Sequence, residues 1–85
     1  MRVRERFAAL LLELARSHGR RSGKGIELTV PLSKQEMAGS IGASREMVNK
    51  LLAELRGRGV VATGRRSTVI LRPDTLRRIC AEDPR

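Results

Sequence analysis

Aromatic side chains are almost absent from this chain of 85 residues, which has one phenylalanine, Phe7, and neither tryptophan nor tyrosine. Modules that bind single-stranded nucleic acids usually stack the bases on aromatic rings. Phe7 cannot fill that role, because its position in a stripe of apolar residues at helical spacing assigns it to the core. The composition therefore disfavours binding of single strands.

Cysteine and histidine are equally scarce, with one residue of each, Cys80 and His18. A lone cysteine cannot form an internal disulfide and is typical of a reducing compartment. A zinc site normally needs about four ligands. A nucleophilic pair of Cys80 with His18 is disfavoured, because His18 lies in a glycine-rich stretch where nothing would orient it. We therefore expect no metal, no cofactor and no catalytic site in this chain.

Long apolar runs are missing as well. No segment approaches the roughly 20 apolar residues that span a bilayer, and no signal-peptide cleavage pattern follows the basic start. Positive charge is what the chain has in excess, since 18 Lys and Arg residues oppose 9 Asp and Glu residues, a net charge of +9. A basic chain of this length predicts one domain, residues 1–85, with a small core and a polyanionic partner.

The segment from Ser33 to Arg58 has the pattern of two short helices joined by a tight turn. Ser33 begins an S-x-x-E capping box with Glu36, Gly42 can adopt the positive φ of a sharp turn, and Ser44 is a good N-cap. Apolar residues fall on one face of each helix: Met37, Ala38 and Ile41, then Val48, Leu51, Leu52 and Leu55. This pattern predicts a helix-turn-helix over residues 33–58.

The second of these helices, residues 44–57, carries four polar side chains in its first two turns, away from its apolar face. They are Arg45, Glu46, Asn49 and Lys50. Their end groups suit base edges in a major groove, and a recognition helix uses its N-terminal residues for that contact. The alternative interpretation is an ordinary solvated helix face.

The rest of the chain is predicted to pack around this pair of helices. The predicted elements are a helix over 1–17 with Glu5 off its apolar stripe, a solvated connector over 18–25, a strand over 26–30, a two-stranded wing over 60–71 and a C-terminal helix over 74–82. The wing tip carries Arg65 and Arg66, which either reach DNA or only solubilise the tip. The fold class expected is mainly α with a small β-hairpin wing, a winged helix-turn-helix.

The run S-K-Q-E-M-A-G-S-I-G-A-S-R-E-M-V-N-K-L-L-A-E-L, from Ser33 to Leu55, resembles the C-terminal DNA-binding domain of the CRP/FNR regulators, the catabolite-activator-protein type. The helix from Arg6 to Ala15 is also similar, so the resemblance extends over roughly Arg6 to Leu71. The family's effector-binding β-roll and dimerisation helix would precede Met1. The chain is then either a domain of a longer protein, which we expect, or an unusual free-standing one.

The resemblance also implies roles for individual residues. Arg45, Glu46 and Lys50 would contact bases, with Asn49 adding an adenine contact. Arg45 would donate two hydrogen bonds to guanine, and Glu46 would accept one from cytosine. Ser33, Gln35 and Ser44 match the family's phosphate-contacting positions, and Arg65 and Arg66 at the wing tip match only loosely. Lys34 is also expected to contact a phosphate.

The implied function is sequence-specific binding of double-stranded DNA by a bacterial transcription regulator in the cytoplasm, at the nucleoid. Its full-length form would be a homodimer, and RNA polymerase would be a further partner. Two other interpretations stay open from the residues alone. In one, the same helices form a winged-helix protein–protein interaction module whose charge only solubilises it. In the other, the winged helix binds RNA.

Overall fold

The computed structural model describes residues 2–29, 33–64 and 67–81. The elements within them are α1 (Val3–His18), β1 (Gly19–Arg21), β2 (Ile26–Leu28), α2 (Lys34–Ile41), α3 (Arg45–Gly57), β3 (Val61–Thr63), β4 (Thr68–Ile70) and α4 (Pro73–Ala81). The winged helix-turn-helix predicted from sequence is confirmed. None of the helices in these ranges is long and apolar enough to cross a membrane.

Both helices of the predicted pair begin at the caps that the sequence indicates. The Ser33 hydroxyl accepts the Glu36 amide at 3.1 Å, and the Glu36 carboxylate accepts the Ser33 amide at 2.9 Å. At the start of α3 the Ser44 hydroxyl accepts the Met47 amide at 3.1 Å. These bonds satisfy amides that have no partner within the helix, so each helix starts at a defined residue.

A left-handed glycine ends each of these helices. Gly42 has φ 68°, and the amide of Ala43 donates to the carbonyl of Ala38 at 2.9 Å. Gly59, at φ 73°, ends α3 with the same bonding pattern. The pattern is a Schellman motif, which turns the chain sharply while pairing the last carbonyls of the helix. Gly42 thereby makes the tight turn between α2 and α3.

Helix α1 lies at the centre of the molecule and packs against α2, α3, α4 and β2. Its Phe7 and Leu11 are only 1% and 0% exposed. The predicted apolar residues of α2 and α3 are all buried against the same core, together with Ile70 of β4 and Leu76 and Ile79 of α4. Burying one such side chain stabilises the fold by about 1.5–3 kcal/mol, so this core holds both helices of the pair in place.

Glu5 corrects one detail of the sequence analysis, which set it off the apolar stripe. Its side chain is buried, with 3% of the residue exposed. The carboxylate folds back on the start of α1 and accepts the amide of Arg2 at 2.9 Å. A third-position glutamate that caps its own helix stays close to the backbone, and this hydrogen bond compensates for lost hydration.

The prediction of a solvated connector over 18–25 is wrong for its middle residues, because Gly19–Arg21 form β1 and pair antiparallel with β2. A turn over residues 22–25 joins the two strands, closed by the Ser22 amide on the Gly25 carbonyl at 2.8 Å. All three residues of β1 are exposed, so no apolar alternation marked the strand. Gly25 is needed here, since a Cβ would lie 2.1 Å from the Ile70 carbonyl oxygen.

The sheet has the strand order β1-β2-β4-β3, and its register separates two ends. One row of paired residues, which we name the wing end, is Gly19, Leu28, Thr68 and Thr63. The opposite row, the turn end, is Arg21, Ile26, Ile70 and Val61. Gly64 and Ser67 therefore lie at one end of the sheet, and the β1–β2 turn lies at the other.

The remaining boundaries agree with prediction to within two residues. The first strand was predicted over 26–30 and ends at Leu28, after which the amide and hydroxyl of Thr29 both donate to the carbonyl of His18, at 3.3 and 2.6 Å. Met1, Val30 and Glu82, at the ends of three predicted elements, lie outside the described residues.

We expect Gly42→Ala to lower the free energy of unfolding by about 1–2 kcal/mol, because alanine is strained at positive φ. Gly39→Ala is the matched control in the same helix, where a Cβ would meet nothing within 4 Å. It should raise stability by about 0.5–1 kcal/mol. Urea denaturation followed by circular dichroism measures both values. Equal stability of the two variants would contradict the role of Gly42.

Candidate nucleic-acid interface

The four predicted base-contacting residues are exposed on α3: Arg45, Glu46, Asn49 and Lys50. The opposite face of the helix is buried in the core through Val48, Leu51, Leu52 and Leu55. Because successive residues of a helix are about 100° apart, anchoring one face by its leucines turns the other face outward. The polar ends in the first two turns are thus accessible to a partner.

The polar end groups of these four side chains also lack bonding partners within the described residues. In the described parts of the chain, the side chains of Arg45, Glu46, Asn49 and Lys50 have no hydrogen-bond or ion-pair partner. Some charges elsewhere are paired, as in the Arg16–Glu13 bridge at 2.9 Å and the Arg77–Asp74 bridge at 3.7 Å. Exposed pairs of that kind contribute little to stability. They neutralise part of the positive charge away from α3, although Arg20, Arg21 and Arg72 have no ion-pair partner among the described residues either.

The N-terminus of α2 presents a second group of predicted contacts, with Ser33, Lys34 and Gln35 all exposed. A helix N-terminus offers free backbone amides and a partial positive charge to an anion. The hydroxyls of Ser33 and Ser44 accept amide hydrogens in their caps. Each hydroxyl keeps its own hydrogen to donate to another acceptor. The group is therefore chemically suited to phosphate oxygens.

Arg65 and Arg66, the predicted contacts at the wing tip, lie outside the described residues. The base of the tip is described, and there the Gly64 amide donates to the Ser67 carbonyl at 2.9 Å.

Arg6 is a residue whose role the sequence analysis missed. Its Nη1 atom donates to the carbonyl oxygen of Ile41 at 3.1 Å, at the C-terminal end of α2. A cation at that end is favourable, because the last carbonyls of a helix carry partial negative charge. Helix α1 thereby holds the turn between α2 and α3. The contact joins residues far apart in sequence, so no local sequence pattern predicts it.

Arg56 was missed in the same way. Its Nη1 donates to the hydroxyl of Thr63 at 3.2 Å, linking the last turn of α3 to the end of β3 in the wing. The side chain is exposed. This bond fixes a cation between the recognition helix and the wing.

Cys80 belongs to a different region. It borders an open groove of about 430 Å³ between α1, β2 and α4. Partial burial raises the pKa of the Cys80 thiol above its usual value, and the Glu5 carboxylate raises it further. The thiol is therefore a poor nucleophile at neutral pH. Within the ranges that the structure describes, no three His, Cys, Asp or Glu residues gather as a potential metal site.

The family model described as the Crp-like helix-turn-helix domain matches residues 5–79 of this chain. Among relatives, the nitrogen fixation regulation protein FixK of Rhizobium meliloti is 34% identical over 77 residues, covering 89% of this chain and 35% of FixK. The CRP-like cAMP-activated global transcriptional regulator of Mycobacterium tuberculosis is 38% identical over 73 residues, covering 86% of this chain and 33% of that protein. The chain thus spans about a third of the length of these relatives.

Solved structures give the same result. A CRP-family transcriptional regulator from Thermus thermophilus, TTHB099, superposes with a TM-score of 0.85 at 36% identity, covering 96% of this chain and 42% of that one. The CO-dependent transcription factor CooA from Carboxydothermus hydrogenoformans superposes with a TM-score of 0.84 at 26% identity, covering 91% and 36%. The chain belongs to the Crp-like helix-turn-helix family, the sequence-specific DNA-binding domains of CRP/FNR transcription regulators.

Proposed function

We propose that α3 enters the major groove of double-stranded DNA and reads base edges with the side chains of its first two turns. The observation that carries this is the exposure of Arg45, Glu46, Asn49 and Lys50, without partners among the described residues. Arg45 donates to the O6 and N7 of a guanine, and Glu46 accepts from a cytosine amine. Asn49 suits adenine, whereas Lys50 is a single-point donor without the planar fork of arginine.

Phosphate contacts hold α3 in register on the duplex. We assign them to the N-terminus of α2 with Ser33, Lys34 and Gln35, to Ser44, and to Arg65 and Arg66 at the wing tip. The sheet topology supports this grouping. Ser33 follows Leu28, a residue of the wing end, by five residues, so it lies at most about 18 Å from that end of the sheet. One side of the domain can therefore offer both groups to a single DNA backbone.

For the whole protein we propose a homodimer with an upstream effector-binding domain, because this chain spans about a third of its relatives. Such a dimer would read two half-sites about 34 Å apart. RNA polymerase is a further proposed partner, meeting surfaces that α3 leaves free. We place the protein in the bacterial cytoplasm at the nucleoid, as expected for a regulator of transcription.

We also propose that this domain acts by binding alone, without catalysis and without a cofactor. Its relatives are named as regulators of transcription. A cofactor held by metal ligands would need more His and Cys residues than the one of each present here.

Arg45→Ala tests the proposed reading of bases. Duplexes bound by the wild-type domain are first selected from a random pool, and affinities are then measured by fluorescence anisotropy. The variant should lose about 1–3 kcal/mol of discrimination at one base pair, because its bidentate donor is gone. Undiminished discrimination at every position would refute the placement of Arg45 in the groove.

Lys34→Ala tests the phosphate contacts. It should weaken binding to selected and unrelated duplexes alike and reduce the slope of log K against log salt by about 0.9, since one phosphate is no longer neutralised. A changed base preference with an unchanged salt slope would contradict the assignment of Lys34.

An NMR titration separates duplex DNA from the other two partner classes. Shifts on adding a selected DNA duplex should map to the start of α3 and the N-terminus of α2. A matched RNA duplex should give weaker shifts, because its deep, narrow major groove does not admit a helix. Shifts on another surface, or stronger binding of RNA, would speak against the proposal.

A further inference from the structure

We propose that Arg56 is a further phosphate-binding residue, and that Thr63 orients its guanidinium between the recognition helix and the wing. The proposal rests on the placement of α3 in the major groove proposed above. Its starting point is the hydrogen bond from Arg56 Nη1 to Thr63 Oγ1, at 3.2 Å.

The position of Arg56 on α3 places it at the margin of the proposed contact. It follows Asn49 by seven residues, so the two side chains point in directions only about 20° apart. Arg56 lies about 10 Å further along the helix axis. When the first turns of a helix lie among the bases, a residue at that distance along the helix lies near the edge of the groove. The sugar–phosphate backbone runs along that edge. Arg56 is therefore placed for a phosphate rather than for a base.

The Arg56 guanidinium keeps N–H donors and a positive charge that can still bind an anion. Arginine has five N–H donors, and the bond to Thr63 uses one of them. No described carboxylate pairs with Arg56, and the nearest acidic residue in sequence, Glu54, is paired with Arg4 at 3.5 Å. Arginine binds phosphate through parallel N–H bonds, and a guanidinium already fixed in direction loses less freedom when it does so.

Thr63 is the residue that orients the Arg56 guanidinium toward the wing. It pairs with Thr68 in the row of residues at the wing end of the sheet, directly before Gly64. The same hydrogen bond thus ties the last turn of α3 to the base of the wing. A cation held there bridges two elements that are both proposed to meet one DNA strand.

Arg58 provides a matched control from the same helix end. It is exposed and carries the same charge, and it is nine residues from Asn49. At about 100° per residue it points to the opposite side of the helix. Loss of its charge tests whether any cation at this end of α3 contributes equally.

The experiment measures affinity for a selected duplex against salt concentration in the wild type and in Arg56→Gln, Arg58→Gln, Thr63→Val and Arg56→Gln/Thr63→Val. Thermal unfolding of each variant reports whether the fold is kept. Arg56→Gln should weaken binding to all sequences and reduce the salt slope by about 0.9. Arg58→Gln should leave the slope near the wild-type value.

Thr63→Val removes the acceptor and keeps every charge. It should preserve the slope and weaken binding by about threefold, the scale of one exposed hydrogen bond. The double variant should bind no worse than Arg56→Gln alone, because Thr63 acts only through Arg56.

An unchanged slope in Arg56→Gln would overturn the proposal, as would an equal loss in Arg58→Gln. Wild-type affinity in Thr63→Val would overturn the orienting role of Thr63. Arg45→Ala in the same assay keeps the two proposals apart. If it alters base preference while Arg56→Gln changes nothing, α3 is in the groove and only the phosphate contact is wrong.

Discussion

Packing of the leucine face of α3 against α1 is the interaction on which the rest of the structure depends. Leu51 and Leu55 lie beside Phe7 and Ala8 of α1, and Leu52 is almost fully buried nearby. Truncating one such leucine to alanine typically costs about 2–5 kcal/mol, a large share of the stability of a small domain. The same packing fixes the rotation of α3 about its axis. The direction in which Arg45 and Glu46 point is therefore set by the core.

The turn between α2 and α3 is fixed from both sides. Within the chain, Gly42 supplies the left-handed conformation that reverses its direction. From outside the segment, Arg6 of α1 donates to the carbonyl of Ile41. The recognition helix is thus placed by a local backbone conformation and by a long-range hydrogen bond that agree, which is the kind of consistency that specifies one structure.

The charged residues of this domain fall into two groups, those paired with an opposite charge and those without such a partner among the described residues. Some cations away from α3, such as Arg16 and Arg77, are paired with carboxylates one helical turn away. The polar residues at the start of α3 have no such partners in the described ranges. A net charge of +9 attracts any polyanion, and the groups at the start of α3 are the ones proposed to read the bases. Arg56 belongs to the second group, since it is oriented by Thr63 without being neutralised.

Local patterns in the sequence were enough to determine the helix pair, its caps and its turn, because capping boxes, left-handed glycines and helical periodicity act over three to seven residues. They also determined that Arg45, Glu46, Asn49 and Lys50 face outward on α3. The exact fold of the first hairpin was beyond them, since β1 is stabilised by backbone pairing that leaves no apolar alternation. The burial of Glu5 and the contacts of Arg6 and Arg56 were decided only by the tertiary structure. The contacts of Arg6 and Arg56 join elements that are separated in sequence but meet in space. The burial of Glu5 depends on which neighbouring element covers that face of α1. A short stretch of sequence encodes neither of these causes.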